Sequence, residues 1–247
     1  YNIGVIGYGW AATAHIEALN NTTQGNVTAV YSSRDLDPAE LSATHGGEIR
    51  VYNKVEELLA DESIDVVDIT SYPAQHKEQA IAAARAGKQV ILEKPITLNL
   101  EDAEEIKSAF DAHDTRSCVC FELRFISQFT TIKSIIEEGL IGDIHYGEID
   151  YYHGIGPWYG QYRWNTTREN GGSSLLSAGC HALELFRTGV RRCPAADERG
   201  LPQLFPRPSA SGSLPRPTVL CRARQCSEAS LRPVSDAAWR PPTEHLQ

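Results

Sequence analysis

Methionine is absent from all 247 residues, and lysine, isoleucine and tyrosine are absent from residues 190–247. With no methionine the chain lacks its own start, and we expect a residue or two ahead of Tyr1. No apolar run approaches the roughly 18 residues of a membrane-spanning helix, so no membrane partner is expected. No basic leader precedes "NIGVIGYG", so no signal peptide is read and the expected compartment is the cytoplasm. Positive charge is scarce. The chain holds 23 Lys+Arg against 32 Asp+Glu, and a net charge of −9 argues against nucleic acid as the main partner. No Cys/His spacing suits zinc, and no metal is expected. Cys118 and Cys120 lie two apart in an apparent strand, so they share a face and cannot easily pair. They read as small buried hydrophobes of a reducing compartment. No internal repeat is present.

What is present, over the first 120 residues, is alternation. "NIGVI" (2–6), "VTAVY" (27–31), "IDVVDIT" (64–70), "QVILE" (89–93) and "SCVCFEL" (117–123) read as short strands, with "RVY" (50–52) a further short one. Between them "WAATAHIEAL" (10–19), "KVEELLA" (54–60), "AQHKEQAIAAARA" (74–86) and residues 100–113 read as helices. Asp37 and Pro38 open another, with Glu40 completing a capping box. Asn99 caps the helix that follows it, and Gly87 stops the alanine-rich one. Strands apolar on both faces, alternating with helices, predict a doubly wound parallel sheet of the Rossmann class. Such sheets bind ligands at the carboxyl ends of their strands, where strand order reverses. Residues 1–120 form this domain. Residues 121–189 read as the opening of a second α/β, open-sheet domain. It has a helix in "FISQFTTIKSIIEEG" (125–139), a strand in "DIHYGEIDYYHG" (143–154), and a loop and helix in "GGSSLLSAGCHALELFRTG" (171–189).

"VIGYGWAATAH" sets Gly7, Gly9 and Ala12 in the pattern GxGxxA between the first strand and first helix. The first glycine makes the turn, the second lets a pyrophosphate approach the backbone, and the small third residue lets helix and strand pack closely. The helix opening at Trp10 and Ala11 offers amide N–H groups and a partial positive charge to that anion. The second strand ends in "YSSRD", where an NAD enzyme commonly has an acid. Ser32 and Ser33 accept a 2′-phosphate without repulsion, and the Arg34 guanidinium can pair with it or cover the adenine. The reading is NAD(P), leaning to NADP; Asp35 keeps NAD open, and Arg34 also reads as a solvated surface arginine.

"TSYPAQHKEQAIAAARAGKQVILEKPITLNLEDAEEI", "ELRFISQFTTIKSIIEEGLIGDI" and "GGSSLLSAGCHALELF" together resemble the glucose-fructose oxidoreductase / inositol dehydrogenase / rhizopine catabolism (Gfo/Idh/MocA) family, over about residues 1–189. The resemblance implies an NAD(P)-dependent oxidoreductase that moves a hydride between nicotinamide and a sugar, polyol or related hydroxyl compound. It implies that Lys94 reaches the nicotinamide and the substrate oxygen, that Glu93 fixes the loop, and that Pro95 sets its turn, often as a cis peptide. His181 is implied as the acid/base. Pro73 and His76 would flank the nicotinamide ribose, with Thr70 and Ser71 facing the same crevice. Arg124, Tyr152, His153, Arg163 and Trp164 fall where the family contacts sugar. Ser177 stands where many members have an aspartate, so the pattern of substrate hydroxyls is open. Members commonly form homo-oligomers. The alternative reading is a dinucleotide-binding regulator without turnover, or a defective product.

Residues 190–247 show no strand or helix period. They hold 9 of the 13 prolines and 3 of the 6 cysteines, and carry a balance of +4 against −13 for residues 1–189. A stretch rich in Arg, Pro, Ala, Ser and Cys is what a GC-rich gene yields in the wrong frame. We expect the frame to be lost near Thr188–Arg191, with a disordered extension as the alternative. A half-built second domain predicts poor solubility and little activity.

Overall fold

In the computed structural model, β1 (Asn2–Ile6) lies inside a six-stranded sheet. The structure describes residues 1–142, 144, 146–154, 167–189 and 218–226, and for 153, 154 and 218–226 it describes the strand path alone. The sheet comprises β1, β2 (Asn26–Tyr31), β3 (Arg50–Tyr52), β4 (Val66–Ile69), β5 (Gln89–Glu93) and β6 (Ser117–Cys120). Its order is β3-β2-β1-β4-β5-β6 and every pairing is parallel. The order reverses between β1 and β4, which opens the crevice predicted for a dinucleotide.

Helices cover both faces, because successive side chains on a strand alternate between them. On one face Val5, Val30 and Val27 pack against Ala12 and Ile16 of α1 (Trp10–Asn20). On the other, Ile6, Val67, Ile69, Val90 and Leu92 pack against Leu58 of α3 (Val55–Ala60), Ala80 and Ala83 of α4 (His76–Arg85) and Ile106 of α5 (Leu100–Ala112). Each buried valine, leucine or isoleucine among them contributes about 1.5–3 kcal/mol relative to exposure. The helix ends follow the sequence. Asp37 caps α2 (Pro38–His45) by accepting from the Ala39 N–H at 2.8 Å, and Asn99 caps α5 by accepting from the Asp102 N–H at 2.8 Å. Gly87 ends α4 at φ +72°, a conformation that favours glycine.

The predicted strand 117–123 is shorter than expected. β6 stops at Cys120 and a 3₁₀ turn, Glu122–Phe125, carries the chain away. Beyond it, α6 (Ser127–Glu137) packs on α8 (Cys180–Gly189), and β7 (Tyr146–Gly154) packs on α8 through Gly147, whose missing side chain leaves room for the Phe186 ring. The four-residue α7 (Arg168–Gly171) and a π turn, Leu175–Gly179, lead into α8. No strand was expected after residue 190, yet β8 (Thr218–Cys226) runs parallel to β7. The rest of 190–247 lies outside the described residues. No helix among those described is long and apolar enough to cross a membrane.

Candidate active site

Four strand ends build the crevice. β1 gives way to Gly7 at φ +98°, and a Cβ there would lie 2.9 Å from the Ser71 nitrogen. The turn is pinned by the Thr70 N–H on the Ile6 carbonyl (2.9 Å) and the Thr70 hydroxyl on the Gly7 carbonyl (3.1 Å). Gly9 is the N-cap of α1 and a Cβ built on it meets nothing within 4 Å. A side chain there would therefore point into open space over the helix end. α1 carries no acid in its first turn, and the first amides of a helix have no internal partner. Trp10 stands 79% exposed beside this opening, while Ala12 is fully buried under it. The donor set and the clear approach fit the pyrophosphate of a dinucleotide.

At the end of β2, Ser32 is buried and its Oγ accepts from the Arg34 N–H at 3.1 Å. Its hydroxyl therefore shapes the turn, and Ser33 is the exposed hydroxyl of the pair. The Arg34 guanidinium folds back and donates to the Tyr8 carbonyl inside the glycine loop.

At the end of β4, the Ser71 hydroxyl donates to Gln79 Oε1, and Pro73 opens a short 3₁₀ turn. His76 departs from expectation. It has no exposed surface, and its Nδ1 and Nε2 lie 2.9 and 3.1 Å from the carbonyls of Pro95 and Ser71. Burial lowers its pKa against the opposing hydrogen bonds to the Ser71 and Pro95 carbonyls, and the ring braces the two loops that carry them.

At the end of β5 stand Glu93, Lys94 and Pro95. The Lys94–Pro95 peptide is cis. Glu93 Oε2 accepts from the Lys94 N–H at 2.9 Å. The Lys94 ammonium donates to the Ser177 carbonyl at 3.1 Å, so it reaches the π turn one helical turn ahead of His181. Ser177 itself is 8% exposed and His181 4%. The His181 ring stacks on Tyr151 (centroids 5.8 Å, 20° between planes) and meets Phe121 edge-on. Its Nε2 is 3.7 Å from Glu122, while Nδ1 is buried without a hydrogen-bond partner among the described residues. Burial first, then the neighbouring Lys94 charge, lowers the His181 pKa below its ordinary value against the pull of Glu122 and Glu93. At neutral pH the ring is an uncharged base.

Two of the expected sugar contacts are placed otherwise. Tyr152 is 66% exposed, and it is Tyr151 that meets His181. Neighbours on a strand face opposite ways, so only one of the pair can line the site. Arg124 pairs with Glu184 and lies over the Phe121 and Phe125 rings, which ties its guanidinium to the protein. Arg163 and Trp164 lie outside the described residues, as does the side chain of His153. His15, Asp68, Tyr151 and Glu122 were not anticipated. An acid inside the apolar run "VVDI" was the available signal for Asp68.

Strand order, glycine turn and helix N-terminus define a dinucleotide-binding α/β protein of the doubly wound class. Residues 1–121 match the oxidoreductase family with an NAD-binding Rossmann fold, and residues 129–194 match the GFO/IDH/MocA C-terminal domain. The chain belongs to the Gfo/Idh/MocA oxidoreductase family. It is 32% identical over 183 residues to an uncharacterized oxidoreductase of Synechocystis sp., covering 74% of this chain and 49% of that protein. It is 28% identical over 183 residues to the scyllo-inositol 2-dehydrogenase (NADP(+)) of Bacillus subtilis, with the same two coverages. Among solved structures, a probable dehydrogenase from Thermotoga maritima superposes with a TM-score of 0.69 at 29% identity, covering 77% of this chain and 55% of that one. The chain spans about half the length of the curated relatives it matches.

Proposed function

We propose that this chain carries the cofactor half and the catalytic pair of an NAD(P)-dependent oxidoreductase acting on a sugar, polyol or related hydroxyl compound. The carrying observation is the meeting of Lys94, held on the Ser177 carbonyl, with His181, a buried neutral ring whose Nδ1 has no partner among the described residues. Gly7, Gly9 and the first amides of α1 would hold the pyrophosphate, and Thr70, Ser71 and Pro73 would border the nicotinamide side. The bound dinucleotide supplies the hydride acceptor or donor. Lys94 sets a positive charge beside the alcohol oxygen, where negative charge builds as the C–H bond breaks. His181 takes the hydroxyl proton, and its lowered pKa keeps it free to do so at neutral pH. The inositol dehydrogenases among the relatives support the polyol class. Ser33 and Arg34 support NADP over NAD, since neither repels a 2′-phosphate and one can pair with it.

The test is titration of the 247-residue chain with NADPH and NADH by fluorescence, followed by a panel of inositols and sugars. Lys94→Ala lowers turnover by roughly 10²–10³-fold with cofactor affinity within several-fold of wild type. Equal loss of both sinks the assignment. Cofactor binding with no oxidation across the panel favours a non-catalytic regulator, and tighter binding of NADH than of NADPH overturns the NADP reading.

A further inference from the structure

The face of the sheet that carries α1 contains a polar cluster that the proposed chemistry does not use. Asp68 sits in β4 between Val67 and Ile69, which point to the opposite face, and its side chain is fully buried. His15, one and a half turns into α1, lies directly over it. His15 Nδ1 is 3.0 Å from Asp68 Oδ2 and 3.1 Å from Oδ1, and Nε2 is 3.1 Å from Glu93 Oε1. The other Glu93 oxygen accepts from the Lys94 N–H at 2.9 Å. One ring thus links the helix behind the glycine loop, the middle of β4 and the turn that carries Lys94.

We propose that His15 is a positioning residue: its doubly protonated ring, clamped between Asp68 and Glu93, holds the Glu-Lys-Pro turn and so fixes where Lys94 stands. The proposal rests on the reading of Lys94 given above. The geometry carries it. Both ring nitrogens face carboxylate oxygens, which accept; a neutral imidazole can donate only once, whereas the cation donates from both sides. Burial disfavours charge on His15, but the hydrogen bonds to Asp68 and Glu93 and their negative charges outweigh burial, and its pKa is pushed up to about 10. Burial, with the Glu93 charge beside it, raises the Asp68 carboxyl above its ordinary value, and the His15 hydrogen bond and charge offset only part of that. Cys120 of β6 lies beside the cluster, and burial followed by the charges of Asp68 and Glu93 raises its pKa, so it stays a thiol. A cation held by His15, Glu93 and Cys120 is the competing occupant of the cluster, and the zinc titration below decides between the two.

The primary test is ¹⁵N NMR of the histidine rings in the wild-type 247-residue chain, without dinucleotide or substrate. His15 is expected to show two protonated ring nitrogens through neutral pH; a neutral tautomer there overturns the proposal. His15→Gln can bridge one carboxylate but not both. In that variant, amide exchange at Lys94 is expected to quicken by about tenfold while that at Ile106, in the core of α5, stays unchanged. A folded variant with unchanged exchange at Lys94 also overturns it, and the wild-type NMR stands alone if the variant fails to fold. Where turnover is measurable, His15→Gln lowers kcat by roughly tenfold with KM little altered. Zinc that shifts the Nε2 resonance and raises Tm until chelated would make the cluster a metal site and refute the bracket. Ring state and exchange are read without activity, so absent turnover counts against the oxidoreductase reading alone, and a neutral ring against this one alone.

Discussion

Gly7 and Gly9 are two residues apart, yet the structure gives their replacement by alanine opposite signatures. At Gly7 the backbone is at φ +98°, and a methyl group would press the Ser71 backbone at 2.9–3.0 Å and the Thr70 carbonyl carbon at 3.1 Å. Those atoms cannot retreat easily, because Thr70 is hydrogen-bonded to the Ile6 carbonyl beside a parallel β1–β4 ladder. Conformational strain and the clash together cost about 2–4 kcal/mol. That lowers Tm by roughly 5–15 °C for a chain of this size. At Gly9 the backbone is extended (φ −140°, ψ −165°) and the new methyl meets nothing. Gly9→Ala therefore keeps stability within ~1 kcal/mol, the scale of an N-cap exchange. The methyl occupies the approach to the helix amides, so dinucleotide affinity falls by about tenfold or more. Thermal melts and NADPH titration of both variants check this. A Gly9→Ala protein that melts like Gly7→Ala, or that binds NADPH as tightly as wild type, refutes the account of the loop.

Asp61 is held well below the usual carboxylate range by hydrogen bonds from the Tyr52 and Ser63 hydroxyls, against burial, with further help from the Ser63 amide and Arg50. A depressed folded pKa gives stability that is present above the unfolded value near ~4 and lost as pH falls below it. Tm should therefore drop more steeply for wild type than for Asp61→Asn between about pH 5 and pH 3, as read by calorimetry; parallel curves would contradict the sign. Leu92, 1% exposed under α4 and α5, should cost about 2–5 kcal/mol as alanine, measured by urea unfolding, and a value under ~1 would mean that the site relaxes. Tyr151→Ala should cost about 1–3 kcal/mol and alter the titration of His181, whereas Tyr152→Ala should stay within ~0.5 kcal/mol. The reverse order would show that the facing of β7 is misassigned.

Much of the first half was legible because its signals are local. "QVILE" runs between a Gly87 stop and a proline turn, and β5 occupies those same residues. Asp37 and Asn99 cap their helices with their own side chains. Where the sequence misled, the deciding fact was tertiary. "SCVCFEL" keeps strand-like alternation past Cys120, but the chain leaves the sheet edge there and Glu122 opens a 3₁₀ turn. "YYHG" offers two tyrosines, and only the seating of β7 on α8 tells which one meets His181. The family resemblance puts His76 beside the nicotinamide ribose, yet its ring is fully buried against the Pro95 carbonyl. His15 and Asp68 are 53 residues apart, and no period in the sequence joins them. "TVLCRARQC" carries no apolar alternation that would mark β8.

The guanidinium of Arg34 is committed to the Tyr8 carbonyl, in the middle of the loop that Gly7 and Gly9 shape. Retuning this protein from one nicotinamide cofactor to the other at that arginine would therefore act twice. Replacing it with an acid would remove that donor and also set a carboxylate against a carbonyl oxygen, so the loop would slacken for both cofactors. A clean exchange of preference needs a second donor for that carbonyl, brought in by the same set of mutations.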